Sequence, residues 1–168
     1  MSTVVERPLT EEEQTAFADC ARQGLANLGL AADAAPEAVV QAVDSFLDDY
    51  RARQRKFFRK LFQRLPDSVD VAVHLGAVWG SQIVQAFGWE WTCLQREGDE
   101  RYAVVSTDRA YAIFPNNFVK WLLEDPSQDN TILLLFNMVE AGQLPAAPPR
   151  AYEDLTDGRL RHIVPKGA

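Results

Sequence analysis

Few side chains in this 168-residue chain have the types and spacing that chemistry needs. The two histidines, His74 and His162, stand at no metal-ligand spacing with Cys, Asp or Glu. Trp79-Gly80-Ser81-Gln82 is not a nucleophile elbow, because the second glycine is missing and no strand precedes it. No glycine-rich loop follows a strand and opens a helix, so phosphate-cradle motifs fail as well. Cys93 and His74 could form a thiol–imidazole pair, but a cysteine inside an apolar strand pattern reads as core. Cys20 and Cys93 are expected to be buried free thiols, a disulfide between them requiring an oxidising compartment. Glu90 is the one unusual carboxylate, set between Trp89 and Trp91. If partly buried it would titrate high and suit an acid or base; the competing expectation is a salt bridge to an arginine. Neither a catalytic constellation nor a cofactor or metal is predicted.

Binding is the better-supported chemistry. Trp79, Gln82, Trp89, Glu90, Trp91, Asn116 and Asn117 are the candidate wall of a partner or ligand site, because tryptophan and buried amides serve interfaces as well as cores. Gly76 and Gly80, one helical turn apart, imply close approach of another element to a groove without side chains. A second candidate surface is basic. Residues 50–64 hold seven basic side chains and no acidic one, while the rest of the chain has 24 acidic against 10 basic, a net of −14. Arg51, Arg55 and Arg59, with Lys56 and Lys60 beside them, form a stripe along a helix that could meet an anionic partner; the plainer reading is a solvated face. The overall net charge of −7 argues against nucleic-acid binding and favours a basic protein partner.

The elements that must position these residues follow from pattern. Residues 1–9 are read as a flexible arm. Thr10 with Glu13 is a capping box, opening a helix that ends near Leu28. Pro36 starts a second helix, which pairs with the first as a hairpin over 10–65. Asp67 caps a third helix running to Phe87, and Gly88 ends it in the left-handed conformation. Three antiparallel strands follow, Trp89–Gln95, Arg101–Ser106 and Ala110–Phe114, the first two joined by a charged loop over 96–100. Pro115 ends the meander, Asn116 or Asn117 caps a short helix to Leu123, and Asp129 caps a last helix, Asn130–Ala141. That helix is apolar nearly all round and should be the most buried, with Asn137 a buried polar group. The expected fold is α+β: a three-stranded antiparallel meander on helices, one domain over 1–142 with its helix–meander–helix core at 67–142, then an extended proline-rich tail over 143–168. The start of the chain has no apolar leader and no run long enough to span a membrane, so the expected location is cytoplasmic.

Trp79-Gly80-x-Gln82, Gly88-Trp89-Glu90-Trp91, Asp108-Arg109 with Tyr111, Ile113 and Pro115, and Asp129-Asn130-Thr131 leading to Leu135-Phe136-Asn137 together resemble an uncharacterised proteobacterial domain family of unknown function, over about residues 70–142. The resemblance implies a bacterial source and an α+β domain; it carries over no reaction and no catalytic residue. Small acidic bacterial proteins without catalytic motifs include toxin-neutralising partners. By that analogy the first expectation is a non-enzymatic interaction protein, an inhibitor or immunity factor. A small-ligand module at Trp79, Gln82 and Glu90 is the second, and an enzyme using Glu90 or His74 the third.

Overall fold

The computed structural model describes residues 4–57, 67–125 and 131–157, and of residues 54–57 the backbone alone. The order of elements is β1 (Val4–Pro8), α1 (Glu11–Asn27), α2 (Pro36–Phe57), α3 (Ser68–Phe87), β2 (Glu90–Arg96), β3 (Asp99–Val105), β4 (Tyr111–Ile113), α4 (Pro115–Glu124), α5 (Ile132–Glu140) and β5 (Glu153–Asp154). The α+β class and the two N-terminal helices are as expected, but α1 and α2 each pack chiefly on α3 rather than on one another. The sheet differs: it has five strands in the order β1-β2-β3-β4-β5, and the last pair is parallel.

Both additional strands come from segments read as an arm and a tail. β1 lies antiparallel to β2, Glu6 facing Leu94 and Arg7 facing Cys93. Its sequence, Val-Val-Glu-Arg-Pro, lacks an alternating apolar face, and Val5 is 52% exposed. Such a strand is stabilised by its side-chain bonds. Arg7 donates to Glu13 at 2.8 and 2.9 Å, and Glu13 also accepts from the Tyr102 hydroxyl at 2.8 Å. The capping box therefore does more than start α1; it ties β1, α1 and β3 together. β5 is two residues long, and its pairing with β4 is continued by backbone bonds from Tyr152 N to Arg109 O (2.9 Å) and from Leu155 N to Ala112 O (3.0 Å).

The central element is α3. Nine of its residues are buried, and it packs against α1, α2 and α4. Asp67 caps it and Gly88 closes it at φ 67°, as the sequence implies. Gly76 and Gly80 are where its neighbours come closest. A Cβ on Gly76 would lie 2.7 Å from Asn116 Cα and 2.8 Å from Asn116 N, and one on Gly80 would meet the Trp91 ring and Pro115. The paired glycines thus serve packing. α5 is less enclosed than its composition suggests: Ile132, Leu135, Phe136 and Met138 are buried, but Leu134 is 46% exposed and Asn137 faces outward. Thr131 is its N-cap; Asp129 lies outside the described residues. Pro115 opens α4 from its first turn, so no asparagine cap is used there.

The sheet has two unlike faces. Cross-strand partners share a face, and the row Trp91–Val104–Ile113 belongs to the main core with α3 and α4. The opposite face carries Glu6 and Leu94 side by side, Thr92 beside Ala103, and Glu90 beside Val105 and Ala112. Leu94, Ala103, Val105 and Ala112 form a second, smaller apolar cluster there, joined by Val4, Phe114 and Tyr152. This outer face has no helix on it among the described residues.

Candidate functional site

Two hollows lie on the outer sheet face, and Tyr152 lines both. The larger, about 820 Å³, is an open cleft walled by Glu6, Glu90, Thr92, Arg109, Arg150 and Tyr152. The smaller, about 320 Å³, has an apolar floor of Val4, Leu94 and Phe114 with Arg96, Arg101 and Asp154 at its edge.

The cleft is built by two tight segments. The first joins β3 to β4. Asp108 Oδ1 accepts from Ser106 Oγ (2.7 Å) and Ala110 N (3.0 Å), and Arg109 takes φ 62°. The backbone amide of Ala110 and the Ser106 hydroxyl hold the Asp108 carboxyl below its usual range. The second segment is the returning chain, where Arg150 and Tyr152 take φ 63° and 47°. Arg150 N bonds Asp108 O at 3.1 Å, so the two segments are stitched together. Three of the four non-glycine residues with left-handed backbone, among the described residues, therefore wall this one cleft. Such residues cost of order 1–3 kcal/mol each and gather at ligand clamps.

A charge network fixes the side chains. Arg109 Nη2 lies 2.6 Å from Glu90 Oε2 and 3.2 Å from Glu6 Oε1, and its Nη1 donates to Thr107 O at 3.2 Å. The Tyr152 side chain packs against the outer apolar cluster, and its hydroxyl reaches Glu6 Oε2 at 2.6 Å. Burial pushes the Glu6 carboxyl up, but the Tyr152 hydroxyl and the Arg109 guanidinium outweigh it and hold the group below its ordinary value. Burial, then the Glu6 carboxylate, pushes the Tyr152 hydroxyl up. The hydrogen bond to Glu90 leads the rise at Arg109. The network holds the Arg109 guanidinium between two carboxyl groups, with the neutral Tyr152 hydroxyl donating to one of them.

The structure separates the residues that the sequence grouped as one wall. Glu90 and Trp91 line the cleft; Trp79, Gln82, Asn116 and Asn117 line neither hollow. Glu90 is bonded to Arg109, and its side chain is 56% exposed. Trp91 turns its ring inward, stacked on Phe17 at 4.4 Å. Trp89 is buried and stacks on Tyr111. Trp79 is wholly enclosed beside Phe118, and Gln82 is enclosed one turn later, its Nε2 donating to Val78 O at 3.5 Å. Trp79 Nε1, Gln82 Oε1 and Asn116 Oδ1 are buried without a hydrogen-bond partner among the described residues. Asn117 is exposed at the start of α4.

Of the basic stripe, Arg51 is 8% exposed, its Nε donating to Leu122 O at 2.9 Å, so it anchors α2 to α4 and offers little to a partner. The side chains of Arg55 and Lys56, and the whole of Arg59 and Lys60, lie outside the described residues. His74 Nδ1 lies 2.8 Å from Asp70 O. Cys93 is buried with its thiol pushed up by burial, away from the thiolate form a nucleophile needs, while Cys20 is half-buried; both are free. Among the described residues, no group of three or more His, Cys, Asp or Glu could hold a metal ion. No described helix is long and apolar enough to cross a membrane.

Sequence reasoning missed Glu6, Arg109, Arg150 and Tyr152 as site residues. Asp108-Arg109 entered only through the family resemblance, with no binding role. Glu6 and Tyr152 are 146 positions apart and meet only when both ends of the chain join the sheet. Comparison with family models, curated proteins and solved structures finds no match to this chain.

Proposed function

We propose that this chain is a non-enzymatic interaction module and that its partner, a basic protein, is received on the outer sheet face. The observation that carries this reading is the cleft of about 820 Å³ whose walls are left-handed residues held by the returning chain. A sheet face without a helix on it among the described residues, with polar walls and an apolar cluster beside them, has the composition of a contact surface. The acidic excess of the chain favours a basic partner through complementarity and steering. An inhibitor or immunity protein that neutralises a basic bacterial toxin is the form of this reading that charge and size favour. Membership of the uncharacterised proteobacterial family is likewise proposed. Its Trp-Gly-x-Gln and Gly-Trp-Glu-Trp elements have a packing rationale here: Gly80 makes room for Trp91, and Gly88 turns α3 into β2.

The test uses the chain and a Glu90→Arg, Tyr152→Ala double variant, each immobilised and exposed to extract of the source cells. A protein held in stoichiometric, salt-sensitive amount by the first and lost by the second supports the reading. Equal retention by both, or retention by neither, contradicts it.

A further inference from the structure

We infer that the outer-face cleft takes a cationic side chain, an arginine or lysine presented by the partner protein, between Glu90 and Asp108. This rests on the reading that the outer sheet face is the binding surface, and it names the chemistry that surface receives.

Two arginines in a cleft would ordinarily suggest an anionic ligand. The inventory of bonds points the other way. Arg109 directs its Nε and Nη2 to Glu6, the same Nη2 to Glu90, and its Nη1 to the Thr107 carbonyl. A guanidinium has about five N–H donors, and most of these are spent inside the protein. Two carboxylates also neutralise it, so it has little to give an anion. The acceptors are in the opposite condition. Glu90 uses Oε2 on Arg109, and its Oε1 has no partner among the described residues, on a side chain more than half exposed. Asp108 uses Oδ1 on Ser106 and Ala110, and its Oδ2 has no side-chain partner among the described residues. Both are in the cleft wall. What the cleft has left to offer is therefore carboxylate lone pairs, beside the ring of Tyr152, which suits a cation by its aromatic face. Arg150 is the opposing element. It is exposed at the rim, and its side chain has no ion pair among the described residues, so it is the residue that an anionic ligand would need.

The experiment is an amide-shift titration of the full chain. The probes are a blocked Gly-Arg-Gly-Arg-Gly peptide, its citrulline counterpart, a Gly-Glu-Gly-Glu-Gly peptide, and spermidine. The expected result is saturable shifts at Glu90, Thr92, Arg109 and Tyr152 with the arginine peptide. The citrulline peptide should bind about tenfold more weakly, the worth of one charge-assisted hydrogen bond. Glu90→Gln should cost a similar factor, and Arg150→Ala should not weaken binding. Binding of the acidic peptide at these residues, lost in Arg150→Ala, would overturn the cation while leaving the surface a binding surface. Spermidine binding as tightly as the peptide would overturn the partner protein as the source. No saturable shift with any probe would overturn the inference, the capture experiment above still judging the surface by itself.

Discussion

Replacing Gly76 by alanine sets two known effects against each other. In a helix interior, Gly→Ala is favourable by about 1 kcal/mol, because alanine loses less backbone entropy on folding. Gly76 is in the interior of α3, so propensity alone predicts a more stable protein. The structure predicts the reverse. The new Cβ would lie 2.7 Å from Asn116 Cα and 2.8 Å from its nitrogen, and these are backbone atoms that no rotamer change can move. Carbon atoms rest about 3.5–4.0 Å apart, so α3 and α4 must separate by roughly 0.7 Å or more. That separation loosens Trp79 against Phe118, which pack at 5.5 Å between ring centres. Overpacking of this kind costs about 1–3 kcal/mol, and a clash against backbone belongs at the upper end. After the propensity gain, a net loss of about 1–2 kcal/mol is expected, or a fall in Tm of roughly 2–8 °C for a chain of this size. Urea unfolding followed by tryptophan fluorescence measures it, with the midpoint falling and the slope unchanged. Asn116→Gly should not rescue the variant, since the clashing backbone remains. Gly80→Ala is the contrast: its Cβ meets the Trp91 ring, and Trp91→Leu in the same chain should recover part of the loss. A Gly76→Ala protein more stable than the parent would refute the reasoning.

Three further outcomes follow. Hydrogen bonds from Arg7, Thr10 and Tyr102 hold Glu13 down at about 2, below its ordinary value. A group depressed on folding stabilises the fold above its unfolded pKa and ceases to do so as pH falls through its folded one. The Glu13 carboxyl resonance should therefore titrate near 2, with its contribution disappearing between about 4.5 and 2, and Arg7→Ala should move that midpoint upward. Tyr152→Phe removes a hydrogen bond to Glu6 and should cost about 1 kcal/mol while raising the Glu6 midpoint, read by carboxyl NMR. Burial pushes the Asp154 carboxyl up, against the bonds it accepts from Thr156 at 2.6 and 2.7 Å. Its ionised form opposes folding at neutral pH, so Asp154→Asn, which keeps the accepting oxygen, should raise the unfolding midpoint at pH 7. That gain should vanish once the pH is below the ordinary aspartate value of 3.8, where the parent carboxyl is neutral in both states.

The parts of the fold legible in the sequence are those set by local signals. The Thr10–Glu13 capping box, the Asp67 cap and the Gly88 stop each act within one turn of backbone, and all three stand as read. The β2–β3 hairpin was legible as well, although its loop is tighter than the charged run over 96–100 suggested: Arg96 pairs with Asp99, and only Glu97 and Gly98 turn, both left-handed. β1 and β5 were not legible because their stability is not local. Val4–Pro8 becomes a strand through Arg7, Glu13 and a Thr92 hydroxyl that bonds Arg7 O at 2.7 Å, and Glu153–Asp154 through pairing with β4 and with the turn before it. The same holds for the site. Composition distinguished Glu90 and its flanking tryptophans, but whether a tryptophan forms a wall or a core depends on which face the α3 glycines accept. Gly80 accepts Trp91, and the carboxylate is left outside with Arg109.

The central claim is that partners meet this protein on the outer sheet face. Hydrogen–deuterium exchange on the complex with a captured partner tests it most directly. The account predicts new protection at residues 90–92, 107–109 and 149–152, with the backbone around Trp79 and Gln82 unchanged. Protection confined to residues 50–64, with residues 107–109 and 149–152 exchanging as in the free protein, would contradict it.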